Sequence, residues 1–423
     1  MARTLMVLVV LLYTVAAPLT CSTGDGLRIK LTHVDAKGNY TMAELVRRAV
    51  DRSRQRLAMI AAGHDVSAPV HWAQSQYIAE YLIGNPPQRA EALIDTGSSL
   101  IWTQCSTCTL GGNCFQQNLP RYDPSQSSSA QHVACTDATC KANPPSGCSR
   151  QGGNQCVFAA SYGAGDIAGE LDTETFTFQS STAKLTFGCV TASRITLGAL
   201  DGASGLIGLG RDSSSLVSQT GATKFSYCLT PYFRANSAPS HLFVGASARM
   251  SGGSPVMSMQ FVKSSSTFYY LPLVGLTVGE TKLPIPSTLF KLKGDSGGVI
   301  IDSGSPTTSL VDGAYKALRN ELVRQLNASL VAPPRGSNTD LCVGQNDLVN
   351  GKLPDLVFHF SGADMTVPPR NYWAPVDKST ACMMIFSSTD SSTIGNFQQQ
   401  NMHLLYDVAR GTLSFQTADC SAL

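Results

Sequence analysis

Charged side chains are scarce in this chain. Asp, Glu, Lys and Arg together make 14% of 423 residues, and the formal net charge is only +2. So small an excess offers little to a phosphate backbone, and nucleic acid is excluded as a partner. Long apolar runs are also missing. The run Leu5 to Ala17 is short for a bilayer span, and nothing after it is longer. With Arg3 before it and the small residues Ala16 and Ala17 ahead of Pro18, it reads as a signal peptide over residues 1–21. The ending Asp419-Cys420-Ser421-Ala422-Leu423 lacks the apolar tail of a lipid-anchor signal, so no membrane anchor is expected. A metal-ligand framework is absent too. Cys105-x-x-Cys108 has ligand-like spacing, but no second Cys pair or His pair accompanies it. No metal and no cofactor are expected.

Glycine (37) and proline (21) are abundant, and Ser/Thr-rich turns separate short apolar runs, a texture of strands rather than helical bundles. A length of 423 residues exceeds what one core serves, so two lobes are expected. The 13 cysteines fall to 12 if Cys21 leaves with the signal peptide, and an even count in a secretory compartment implies disulfides. Asn39-Tyr40-Thr41 and Asn327-Ala328-Ser329 are glycosylation acceptors in that compartment, at Asn39 and Asn327. Extracellular destination is expected, with the vacuole as the other possibility.

Residues 22–66 differ from the rest of the chain. Arg28, Lys30, Lys37, Arg47, Arg48, Arg52, Arg54 and Arg56 stand against Asp25, Asp35, Glu44 and Asp51. Thr41-Met42-Ala43-Glu44 has the form of a capping box, and Leu45, Ala49, Leu57 and Ile60 follow roughly one helical face. A basic helical segment ahead of a near-neutral core reads as a removable prosegment, against the plainer reading of a solvated edge helix. Residues 67–245 and 246–423 are then expected as N-terminal and C-terminal lobes.

The division into lobes rests on an internal echo. Ala92-Leu93-Ile94-Asp95-Thr96-Gly97-Ser98-Ser99 is matched by Val299-Ile300-Ile301-Asp302-Ser303-Gly304-Ser305. Each is a run of apolar β-formers ending in a tight polar turn. Gly205-Leu206-Ile207-Gly208 follows the first copy and Thr393-Ile394-Gly395-Asn396 the second. Aromatic-rich strands, Tyr77 to Ile83 and Phe268 to Val278, open the two copies. The expected fold class is all-β dominated, with two pseudo-twofold related lobes and a few short helices. Two carboxylates brought together across such an axis share one proton. One then takes a proton from water while the other polarises a carbonyl.

Asp95-Thr96-Gly97-Ser98-Ser99 with Trp102, Tyr162-Gly163 and Asp302-Ser303-Gly304 resembles the pepsin-like aspartic proteases. The Cys-rich stretch from Cys105 to Cys156, with Ser161-Tyr162-Gly163-Ala164-Gly165 and Glu174-Thr175-Phe176-Thr177-Phe178, is similar to the plant nepenthesin-type branch. The resemblance implies a bilobal fold and an acid-active aspartic endopeptidase cutting protein or peptide substrates, as a monomer. Aspartic proteases are themselves the standard example of the proton-sharing pair. It implies Asp95 and Asp302 as the catalytic dyad, supported by Thr96, Gly97, Ser98, Ser303 and Gly304. Tyr162 tips a flap backed by Trp102, and Gly163, Gly304 and Ser305 line the cleft. It also implies six bridges: Cys105–Cys108, Cys114–Cys189, Cys135–Cys156, Cys140–Cys148, Cys228–Cys420 and Cys342–Cys382.

The chain departs from the branch at Ser305-Pro306, where two hydroxyl residues are usual, and at Gly163-Ala164-Gly165-Asp166, where an acid and a serine are usual. Both bear on rate and specificity. Asp295-Ser296-Gly297-Gly298 imitates a serine-protease motif, but none of the seven histidines has a fitting context, and the stretch reads as a turn before the Val299 strand. The remaining alternative is a catalytically weak or inactive relative acting as an enzyme inhibitor or protein-binding protein.

Overall fold

The computed structural model describes residues 26–62, 77–108, 114–142, 146–149, 153–162, 165–179, 181–196, 199–231, 238–250, 254–294 and 296–423. The signal peptide, Cys21, Gly163 and the junction from residue 63 to 76 lie outside these residues. Strands dominate the described residues, and the longest helices are Met42–Ala62 and Asp312–Leu326.

One large sheet runs through the molecule. From the C-terminal side its central strands are Thr412–Thr417, Met402–Asp407, Lys224–Cys228, Ser240–Val244, Leu27–His33, Tyr77–Ile83 and Gln88–Asp95. The two halves therefore share hydrogen bonds where Lys224–Cys228 pairs antiparallel with Met402–Asp407. Leu27, Ile29 and Leu31 alternate with Arg28 and Lys30, so this strand buries one side chain in two and fills the slot between Ser240–Val244 and Tyr77–Ile83. The upstream basic segment is thus built into the sheet rather than lying at its edge.

The capping box forms: the Thr41 amide donates to Glu44 Oε2 at 2.8 Å and the Glu44 amide to Thr41 Oγ1 at 3.3 Å. The helix it starts buries Val46, Ala49, Val50 and Ser53. Leu45 is only partly covered, which shifts the apolar stripe by one position from the expected one, and the side chains of Leu57 and Ile60 lie outside the described ones.

The expected duplication is present in the backbone. Gly205–Gly208 runs parallel to Gln88–Asp95 and antiparallel to Trp102–Gln104. Ser392–Ile394 likewise runs parallel to Val299–Ile301 and antiparallel to Thr308–Val311. The opening strand of the second copy is shorter than expected. It begins at Leu273, and Tyr270 makes only an isolated bridge to Ile300. Ser296–Gly297 pairs with Leu292–Lys293 in a small hairpin before the Val299–Ile301 strand, a turn and not a nucleophile site.

Four of the six expected disulfides are corrected. The bridges are Cys105–Cys189, Cys108–Cys114, Cys135–Cys148, Cys140–Cys156, Cys228–Cys420 and Cys342–Cys382, so only the last two pairings stand. The reason is strand register. Trp102–Gln104 runs parallel to Ser181–Ser193 with Thr103 level with Cys189, and the Cys105 amide donates to Val190 O at 3.0 Å. That brings Cys105 and Cys189 within 5.5 Å of Cα separation and leaves Cys108 to close the short loop with Cys114. In the insertion, Cys148 and Cys156 face each other across one hairpin, and each bridges outward, to Cys135 and Cys140.

Candidate active site

The two Asp turns meet at the seam between the halves, fully buried. Each turn holds its own carboxylate in the same way. The Gly97 amide donates to Asp95 Oδ1 at 2.9 Å and the Ser98 hydroxyl to Asp95 Oδ2 at 2.6 Å. The Gly304 amide donates to Asp302 Oδ1 at 2.8 Å and the Ser305 hydroxyl to Asp302 Oδ2 at 2.7 Å. Thr96 and Ser303 lock the turns together by exchange: the Thr96 amide donates to Ser303 Oγ at 3.1 Å, and the Ser303 amide to Thr96 Oγ1 at 2.9 Å. The Thr96 hydroxyl also reaches Asp302 Oδ1 at 3.5 Å. Hydrogen bonds to a carboxylate favour its ionised form, while dry surroundings and a second carboxylate oppose it.

Close backbone approach fixes the turns from behind. The Leu209 amide donates to Asp95 O at 2.7 Å and the Asp302 amide to Ile394 O at 3.1 Å. A Cβ on Gly208 would lie 2.2 Å from Ser99 C, and one on Gly395 would lie 2.3 Å from Thr307 O. These two glycines are therefore required by contact, one in each copy.

Tyr162 ends the Cys156–Tyr162 strand and is buried against Trp102, with ring centroids 6.0 Å apart. Trp102 in turn takes Phe115 edge-on at 6.0 Å. Burial, and then the nearby Asp95 charge, pushes the Tyr162 phenol well above its usual range, so it stays a neutral hydroxyl close to the dyad. Gly165, paired with Tyr162 at the start of the next strand, has φ 130°, and a Cβ there would fall 1.7 Å from Arg194 O. Of the residues expected from the sequence, Asp95, Thr96, Gly97, Ser98, Ser303, Gly304, Asp302 and Ser305 form one cluster, and Tyr162 and Trp102 form another beside it.

Several residues were missed. Gln399 donates to Asp302 O at 3.2 Å and accepts from the Tyr227 hydroxyl, which meets Tyr406 at 2.8 Å, so a buried polar column supports the second turn. Asn396 donates to Ser303 O at 2.8 Å. Only the echo around Gly395 hinted at this stretch. From the upstream segment, Ser53 Oγ accepts the Thr307 amide at 2.9 Å, two residues past Ser305. Arg48 and Arg52 bind Asp35 and Asp201, and Lys37 binds Glu91 at 2.5 Å. Burial pushes the Asp35 carboxyl up, but Arg52 beside it, with His33 and Arg48, holds it below the usual range. Arg48 and Arg52 thus tie this helix to Asp201 of the N-terminal half.

Two hydroxyl-braced aspartate turns, locked to each other across a duplicated β-fold, define a bilobal aspartic hydrolase. Comparisons with known proteins specify the family. The xylanase inhibitor N-terminal family matches residues 77–246 and its C-terminal counterpart residues 268–417. Aspartic proteinase nepenthesin-1 of Nepenthes gracilis is 39% identical over 410 residues, covering 94% of this chain and 91% of that protein. Aspartyl protease family protein 2 of Arabidopsis thaliana is 33% identical, covering 94% and 86%. Among solved structures, basic 7S globulin from soybean superposes with a TM-score of 0.63 at 16% identity, covering 93% of this chain and 97% of that one, which speaks to fold alone. The chain belongs to the plant nepenthesin-type family of pepsin-like aspartic proteases and is an aspartic-type endopeptidase.

Proposed function

We propose that Asp95 and Asp302 are the catalytic pair of this endopeptidase, acting on protein substrates at acidic pH. The observation that carries this reading is the reciprocal Thr96–Ser303 exchange, which joins two turns with identical amide and hydroxyl support of their carboxylates. The ionised member takes a proton from a water molecule, whose oxygen attacks the peptide carbon. The protonated member hands its proton to the carbonyl oxygen. The tetrahedral diol then collapses, the amine leaves with a proton, and the pair regains its single shared proton. Thr96, Gly97, Ser98, Ser303 and Gly304 hold the carboxylates. Tyr162, backed by Trp102, closes over the peptide with Gly163, and Ser305 lines the floor.

Residues 22–66 act as a prosegment, and residues 67–245 and 246–423 as the two lobes. The support is the strand Leu27–His33 within the central sheet and the following helix, which touches one half at Asp201 and the other at Thr307. Secretion accords with the six disulfides, and no described helix is long and apolar enough to cross a membrane. Asn39 and Asn327 are exposed, as glycan acceptors must be.

The test is a fluorogenic peptide assay at pH 3–5, with and without pepstatin, on the acid-treated chain. Asp95→Asn or Asp302→Asn is expected to lower kcat by roughly 10²–10⁴-fold or more with folding unchanged. Near-normal turnover by either variant refutes the assignment.

A further inference from the structure

On the outer face of the N-terminal half, the short strand Gln131–His132 pairs antiparallel with the long strand Gly165–Phe178. His132 stands opposite Asp172 in register, with its Nδ1 2.7 Å from Asp172 Oδ1. Glu170, two residues earlier on the long strand, points to the same face, since side chains alternate along a strand. One imidazole nitrogen and two carboxylates thereby converge, with one donor atom from each residue lying within 4.8 Å of the others.

We propose that His132, Glu170 and Asp172 bind a divalent transition metal, with Zn²⁺ the best fit. Nitrogen and carboxylate donors about 2.0–2.2 Å from Zn²⁺ suit such a set, and a fourth position is left for water. Donors on a tetrahedral Zn²⁺ at those bond lengths stand roughly 3.3 Å apart, so the 2.7 Å His132–Asp172 contact opens slightly to admit the ion. Ca²⁺ is a poorer match, because it takes 6–8 oxygen ligands.

The surroundings favour a cation. The Asp172 side chain is 3% exposed, whereas its His132 partner is 64% exposed. The partners of Asp172 Oδ1 are the His132 ring at 2.7 Å and the Gln155 amide, which donates at 3.5 Å. A buried carboxylate with so thin a set of partners gains from a metal ion. Glu174, the next acid on this face, is already occupied by the hydroxyls of Tyr122, Ser127 and Ser129 and is not a ligand. Lys184, on the neighbouring strand, is drawn to Gln131 at 2.8 Å. The exposed side of His132 gives the ion an entry path.

The consequence is structural. His132 belongs to the Cys-rich insertion and lies three residues before Cys135, while Asp172 belongs to the sheet. A metal here adds a joint between the insertion and the lobe beside the Val133–Leu171 backbone hydrogen bond. Metal binding needs deprotonated ligands, so it is read at neutral pH.

The test uses the untagged full chain, stripped with chelator and kept at pH 7. Titration with ZnCl₂ by calorimetry is expected to show one site per chain, and thermal melting a raised Tm. His132→Ala and Glu170→Gln are each expected to weaken Zn²⁺ binding at least tenfold while leaving the metal-free Tm nearly unchanged. Absence of Zn²⁺ binding at pH 7, or equal affinity in the wild type and both variants, overturns the proposal. Tighter binding of Ca²⁺ than of Zn²⁺ overturns the donor assignment.

Discussion

Each carboxylate of the pair takes one amide and one hydroxyl from its own turn, so this part of its support is local. This is why a short sequence motif reports so much: Asp, a hydroxyl residue, Gly and Ser are the whole local machine. The turn-to-turn lock adds Thr96 and Ser303, whose β-hydroxyls reach the opposite amide. Tyr162 differs, because its contacts come from other elements, Trp102 above all. Truncating it removes the hydroxyl near Asp95 and the ring packed on Trp102, yet leaves the strand ladder intact. Tyr162→Ala is therefore expected to lower kcat strongly, with only a small fall in Tm. Steady-state kinetics beside a thermal melt checks it, and unchanged turnover refutes a flap role.

The strand Leu27–His33 carries an acid response of its own. Arg28 lies 3.2 Å from His241 Nε2 on the adjoining strand, and Lys30 is level with His241 in register. Also facing this seam are buried His403, behind Phe243, and the Leu423 carbonyl that accepts from Arg28. Burial first, then Arg28 and Lys30, lowers the pKa of His241. With the strand docked, His241 thus holds fewer protons than with the strand free. Its stability is fully present above the ordinary histidine range near 6.5, and is lost as pH falls below that range. Asp35 acts in the same direction, since a carboxylate held below its usual pKa loses its ion pairs only as pH falls further. His241→Gln removes the titrating group but keeps a polar side chain. The variant is expected to release residues 22–66 several-fold more slowly at pH 5, read by N-terminal sequencing over time. Release at the wild-type rate would exclude His241 from the response.

Across the whole molecule, strand register brings together one pair of cysteines far apart in sequence, Cys105 and Cys189. Cys105–Cys189 closes a separation of 84 residues, worth about 4.5 kcal/mol in the chain-entropy treatment. Cys108–Cys114 spans 6, worth about 2 kcal/mol on the same treatment. Replacing Cys105 and Cys189 together by Ser is expected to lower Tm more than replacing Cys108 and Cys114. Non-reducing peptide mapping should recover both pairings, and a Cys105–Cys108 peptide would contradict the register argument. The duplicated Asp-Thr/Ser-Gly-Ser turns, the two-lobed β-fold and the capping box were readable in the chain because each depends on neighbours in sequence: backbone alternation, a tight turn, a helix start. The bridges within Cys105–Cys189, the Gln399–Tyr227–Tyr406 column and the seat of Arg48 and Arg52 on Asp201 were not. Those contacts join residues from 149 to 179 positions apart, or cysteines whose partners several pairings would satisfy equally well in sequence. Local chemistry sets what a segment is able to form, but only closure of the sheet brings the distant partners within reach of one another.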